Sequence, residues 1–139
     1  MKRNRKEDKI DEIEKYLGEL ESILPSSFEE YKNDFKIKAA CERYFEEIVE
    51  AVIDLAFLII KEKSFKIPEE DKQAFDILTQ EGIISKKLAT KLKDVKGMRN
   101  IIAHEYGKLD DELIFESITE ELKKDINRFI EDIRKINTK

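Results

Sequence analysis

The chain's one histidine, His104, stands in the stretch Arg99-Asn100-Ile101-Ile102-Ala103-His104-Glu105-Tyr106, five residues after an arginine and two before a tyrosine. Imidazole is the side chain whose ordinary pKa lets it take and give protons near neutrality, and guanidinium is a permanently charged planar fork for phosphate. Together they suit phosphate-ester chemistry. At about 100° per residue, Asn100 and His104 project from nearly one line of a helix, whereas Arg99 and His104 are about 140° apart around the axis. Within one rigid helix the two do not converge on a single phosphate. A second copy across a two-fold axis would let the arginine of one protomer face the histidine of the other. Arg99 and Tyr106 are only about 20° off one line, which puts the tyrosine on the arginine side.

The pattern of Arg, four residues, His, one residue, Tyr resembles the signature of the HEPN superfamily. It is similar in particular to the HepT-type branch, the toxin half of HEPN/MNT toxin–antitoxin pairs. The run Glu50-Ala51-Val52-Ile53-Asp54-Leu55-Ala56 looks like that family's long second helix, and Gly107 to Glu116 looks like the start of its last helix. The likeness extends roughly from Ala40 to Arg134. It implies a HEPN-like bundle that dimerises through the face of the motif helix, with residues 1–139 as one such domain.

The implied activity is metal-independent RNA cleavage without a cofactor, in which a 2′-hydroxyl attacks the adjacent phosphate and leaves a 2′,3′-cyclic phosphate. On this resemblance His104 supplies general acid–base work and Arg99 stabilises charge on the phosphoryl oxygens. Asn100 orients the histidine or the phosphate. Glu50 and Asp54 are acids on one face of the second helix that would pair with Arg99 or Lys96. The implied partners are RNA, a second copy of the chain and a nucleotidyltransferase antitoxin of the MNT type that transfers AMP to Tyr106; DNA is not among them. The alternative implied by the same family is a non-catalytic module that binds a nucleotidyltransferase or RNA. A purely structural helical protein would leave the Arg99/His104 pair unexplained.

Plainer roles stand beside these. Arg43, Glu47, Glu50, Asp54 and Lys61 form a stripe that water alone would explain, and Tyr106 can simply pack at a helix end. Glu105 reads as solvent-facing. Tyr16, Tyr31 and Tyr44 read as packing aromatics, because no basic residues interleave with them as in a base-stacking surface.

Twenty-seven basic residues against 32 acidic ones give a net charge of −5, which argues against coating nucleic acid by bulk attraction. RNA binding must then be local. Between Ser85 and Arg99, Lys86, Lys87, Lys91, Lys93, Lys96 and Arg99 face one opposing charge, Asp94, and lead straight into the motif. Lys93 and Lys96, nearest the motif, are the expected RNA contacts, although such runs also form solvated helix faces. Cys41 is the only cysteine, so no intrachain disulfide forms, and one thiol with one histidine cannot build a usual zinc site. The basic start Met1 to Lys6 is followed by Glu7-Asp8-Lys9 and not by an apolar stretch, so it is no secretory signal. The longest apolar run, Leu55 to Ile60, is far below the ~18 residues of a membrane span. A cytoplasmic protein is expected.

The length suits one domain with a real core, and 42% charged residues with four glycines and two prolines favour an all-α fold. A compact up-and-down bundle of about five helices follows. Ile10, Ile13, Leu17, Leu20 and Leu24 make the stripe of a first amphipathic helix that stops near Pro25. Ser27-Phe28-Glu29-Glu30 is a capping box opening a long second helix to about Lys61, with a break expected near Asn33-Asp34. Pro68 with Glu69, Glu70 and Asp71 reads as the first turn of a third helix that Gly82 closes. Ser85 caps the fourth, carrying Leu88, Leu92, Val95, Met98 and Ile102, with Gly107 placed to end it. Gly97 inside this helix costs about 1 kcal/mol against alanine, which points to a close helix approach. Asp110-Asp111-Glu112 opens the last helix, with Ile118, Leu122, Ile126, Phe129 and Ile133 on one face.

Overall fold

A computed structural model describes residues 4–104 and 110–136, with the side chain of His104 outside the described part. Its elements are α1 (Arg5–Ile23), α2 (Phe28–Asn33), α3 (Phe35–Glu62), α4 (Asp71–Gln80), α5 (Lys86–His104), α6 (Asp111–Glu116), a π turn (Ser117–Glu121) and α7 (Leu122–Arg134). Among the described residues there is no strand. No described helix is long and apolar enough to cross a membrane.

The helix boundaries follow from side chains that satisfy backbone groups left open at helix ends. Ser27 Oγ accepts from the Glu30 amide at 3.2 Å, and the Glu30 carboxylate accepts in return from the Ser26 amide at 3.4 Å. The long second helix is in fact two. Asp34 accepts from the amides of Lys36 and Ile37, so it caps α3 and sets it apart from α2. Ser85 Oγ accepts from the Leu88 amide at 3.0 Å and starts α5. Pro68 lies before α4 and not in its first turn, since the helix begins at Asp71 with Glu70 as its cap residue. Gly82, at φ 76°, ends α4 in a left-handed turn in which Ile83 N–H donates to Leu78 O and Gly82 N–H to Thr79 O.

The last helix departs from the simple expectation. Leu122 N–H donates to Ser117 O, one residue beyond the α pattern, and Thr119 Oγ1 donates to Phe115 O at 2.8 Å, competing for the carbonyl an α-helix would use. Ile114, Ser117, Ile118 and Leu122 are all buried along this stretch.

Neighbouring helices run in opposite directions. Lys9 meets Asp54 and Tyr44 meets Glu19, which orients α1 against α3. Glu7 and Glu14 meet Arg134 while Glu21 meets Lys123, which orients α1 against α7. Asp76 meets Lys93 and Asp71 meets Lys96, which orients α4 against α5. The core between them is filled by Phe45, Phe75, Phe129 and the aliphatic stripes read from the sequence, Phe75 and Phe129 meeting edge to face at 6.1 Å. Tyr31 is fully buried beside Phe28 and Phe115, and Tyr16 packs with Tyr44. All three tyrosines are thus packing residues.

Burial pushes the Cys41 thiol up to about 11, and the nearby Glu42 carboxylate adds to it. Burial likewise pushes the Tyr31 hydroxyl well above its usual range. Both groups keep a proton in the fold that the unfolded chain gives up; the Cys41 contribution to stability is intact below pH 9.0 and is lost as pH rises through about 11, and that of Tyr31 is lost at higher pH. Thermal melts should therefore show the melting temperature falling across that window, with a shallower fall in Cys41→Ala. An equal slope in the variant would refute the assignment.

Candidate active site

Helix α5 carries Arg99, Asn100 and His104 in its last two turns and packs on α3, α4 and α7. The apolar stripe anchors it: Leu88, Leu92, Val95 and Ile102 are buried and Met98 is partly so. With that face inward, Arg99 is turned toward α3. One Nη donates to Glu50 Oε2 at 2.9 Å, while Nε is buried and unpartnered. The arginine side chain is about a quarter exposed and Glu50 is about half exposed, so the pair lies at the surface and not in the core. A fork fixed on one edge by a carboxylate keeps its other N–H groups for a second anion.

Of the two acids marked in the sequence, Glu50 thus meets the arginine. Asp54 does not. It faces Lys9 of α1 at 3.5 Å, one turn further along α3 and away from α5. Asn100 is partly buried in the turn preceding His104, and His104 is the terminal residue of α5. Tyr106 lies outside the described residues, as do Glu105 and Gly107.

Lys93 and Lys96 are placed differently from what a bare lysine run suggests. Lys93 bonds Asp76 at 2.8 Å, and Lys96 is buried with its ammonium 3.1 Å from Asp71. The antiparallel packing of α4 on α5 brings these acids into register, so both ammonium groups face α4 carboxylates rather than open solvent.

Gly97 shows no close helix approach within the protomer. Among the described residues the only atom within 4 Å of an added Cβ is Lys72 Nζ, at 3.5 Å, the movable end of a side chain. Gly97→Ala should therefore stabilise the isolated protomer by about 1 kcal/mol, read as a higher denaturation midpoint. A loss of stability would mean that the glycine is needed for the fold.

Beside Gly97 opens a groove of about 750 Å³ between α5 and the α6–π turn, floored by Val95, Met98, Ile101, Leu113 and Ile114. Ile101 and Leu113 are 52% and 53% exposed, two of the four large apolar side chains so exposed in the described chain. The sequence carried one sign of it: Ile101 is an isoleucine off the buried stripe of its own helix. Leu113 gave no such sign, since the π turn sets how α6 is rotated.

A family model described as "Ribonuclease HepT-like" matches residues 13–133. The chain belongs to this HepT-like ribonuclease family, and the match begins well before the stretch from Ala40 that carried the sequence resemblance. The chain is similar to the mRNA nuclease HepT of Shewanella oneidensis, 26% identical over 127 residues that span 91% of this chain and 94% of that protein. It is similar also to the tRNA nuclease HepT of Aphanizomenon flos-aquae, 26% identical over 113 residues, 81% of this chain and 77% of that one. Among solved structures, the fold matches the tri-AMPylated Shewanella oneidensis HEPN toxin in complex with MNT antitoxin, with a TM-score of 0.88, 26% identity, and coverage of 95% and 98%.

Proposed function

We propose that this protein is a ribonuclease toxin that cuts RNA at a site built from Arg99 and His104 and shared across a homodimer. The observation that carries the reading is Arg99, bonded to Glu50 through one Nη and partly exposed, on the same helix as the chain's one histidine. Relatives that are named nucleases and match over most of the chain support it.

In the proposed reaction a bond forms between the 2′-oxygen of a ribose and the adjacent phosphorus while the bond from phosphorus to the 5′-oxygen breaks. A 2′,3′-cyclic phosphate and a 5′-hydroxyl result. One imidazole takes the proton of the 2′-hydroxyl and another returns a proton to the departing oxygen, work that two copies of His104 in a dimer share. Arg99 meets the charge that builds on the non-bridging oxygens, and Asn100 and Glu50 position it and the histidine. No step needs a cofactor. Incubating the purified protein with RNA tests the reading: cleavage by the parent and none by His104→Ala is expected, whereas equal cleavage by both would refute it.

The proposed partner is a nucleotidyltransferase antitoxin of the MNT type, supported by the complex in which the Shewanella toxin is found. The phenol oxygen of Tyr106 would attack the α-phosphorus of ATP, releasing pyrophosphate and the phenol proton, and leave an adenylyl group beside Arg99. Its phosphodiester charge would occupy the arginine and repel RNA phosphate. Intact-mass measurement after incubation with that enzyme and ATP should show adenylyl increments that disappear in Tyr106→Phe. Unchanged increments in the variant would place the modification elsewhere.

A further inference from the structure

The basic residues of α5 are sorted into two sides. Lys93, Lys96 and Arg99 turn toward α4 and α3, and each is bonded to a carboxylate within 3.1 Å. Lys87 and Lys91 instead line a second groove, of about 550 Å³, whose opposite wall is α7 with Lys124, Asn127 and Arg128. Lys87 and Lys91 are one turn apart, as are Lys124 and Arg128, so the walls carry two facing pairs of cations. The acids lining the groove are Asp125 and Glu131, which leaves an excess of two positive charges (four minus two) on a chain whose net charge is −5.

Two of the four cations have a carboxylate within reach. Lys91 reaches the buried Asp125 at 3.7 Å, and Arg128 reaches Asp132 of its own helix at 3.4 Å. Lys87 and Lys124 are exposed, and among the described residues neither forms an ion pair with a carboxylate. In both ion pairs the cation is the exposed member, 40% for Lys91 and 63% for Arg128, and an ammonium's three donors or a guanidinium's five leave groups for a phosphate while the carboxylate contact is kept.

We propose that this groove binds the phosphodiester backbone of RNA flanking the cleavage point, which rests on the ribonuclease reading above. Two features favour a backbone over bases. No aromatic side chain lines the groove, so it offers bases no stacking surface, and every cation in it ends in hydrogen-bond donors that suit phosphate oxygens. Lys91 and His104 are thirteen residues apart, about 20 Å along the helix axis, so the groove meets RNA beyond the scissile step. The contact is sequence-tolerant and adds affinity in proportion to RNA length.

The test uses the full chain carrying His104→Ala, so that RNA stays intact, with a labelled single-stranded oligonucleotide followed by fluorescence anisotropy. Adding Lys87→Ala, Lys124→Ala and Arg128→Ala should weaken binding about tenfold or more and shrink the slope of log affinity against log salt by about 2, at ~0.7 per phosphate contact. Adding Lys15→Ala, Lys32→Ala and Lys36→Ala, the same charge change at exposed sites elsewhere, should leave most of the affinity in place. In the cleaving protein the groove substitutions should raise KM by a factor that grows with RNA length. Unchanged affinity, or an equal loss in the charge-matched control, overturns the proposal. Retained RNA affinity with lost binding of the nucleotidyltransferase would also overturn it and assign the groove to a protein. If the parent chain neither binds nor cleaves RNA, the ribonuclease reading itself has failed.

Discussion

Replacing His104 with alanine is expected to lower RNA cleavage by about 100- to 10,000-fold, the usual worth of a positioned proton-transfer group. Replacing Arg99 with alanine is expected to cost about 100- to 1,000-fold, as removal of one preorganised donor to a developing oxyanion does. Arg99→Lys should recover little. A lysine ammonium is a point charge on a shorter reach and lacks the planar fork that would bond Glu50 along one edge and a phosphate along another. Because Arg99 and Glu50 are both partly exposed, these substitutions should leave the helical fold intact. Initial rates on a labelled RNA, with circular dichroism as the folding check, measure this. Parent-like rates in either alanine variant would remove that residue from the chemistry.

The second large effect is expected from Ile101→Glu. Ile101 and Leu113 expose apolar surface side by side in the groove beside the motif, and Gly97 adds a stretch of helix surface with no side chain. Apolar surface exposed in a groove is a face on which another molecule can dock. If that molecule is a second copy, a carboxylate at Ile101 would be buried without a partner and the dimer would come apart. Light scattering should then give a dimer for the parent and a monomer for Ile101→Glu, with cleavage lost in the variant although Arg99 and His104 are both present. Mixing Arg99→Ala with His104→Ala chains should restore at most part of the activity, through heterodimers with one intact site. A monomeric parent, or a variant that is monomeric and fully active, would rule out a shared cleft.

Helix ends and buried stripes were legible in the sequence because they depend on residues close together in the chain. Ser27, Ser85 and Gly82 act where local capping chemistry places them, and the periodic Leu, Ile and Val positions of α1, α5 and α7 are buried. Asp34 was readable only as a weak break, since its capping role shows once the amides of Lys36 and Ile37 are placed. The π turn was hidden because the same apolar residues fit an α-helical stripe, and only the hydroxyl of Thr119 hints at competition for a carbonyl.

Within the site, Glu50 and Arg99 were legible as a possible pair but Asp54 was not separable from Glu50. The two acids share a face of α3, and only the placement of α1 gives one of them to Lys9. The sorting of the lysines was equally invisible. Lys93 and Lys96 are the same residue type as Lys87 and Lys91, and what separates them is the pair of α4 carboxylates, Asp76 and Asp71, that packing brings to the first two, which is a tertiary fact.

In the proposed reaction the chain's own side chains, with no bound metal, drive attack by the 2′-hydroxyl. The most direct measurement is the chemistry of the ends left when the purified protein cuts an RNA in the presence of a metal chelator. The predicted products carry a 2′,3′-cyclic phosphate on one fragment and a 5′-hydroxyl on the other, and they are absent with His104→Ala. Products ending in a 3′-hydroxyl and a 5′-phosphate, or cleavage that the chelator abolishes, would contradict the account.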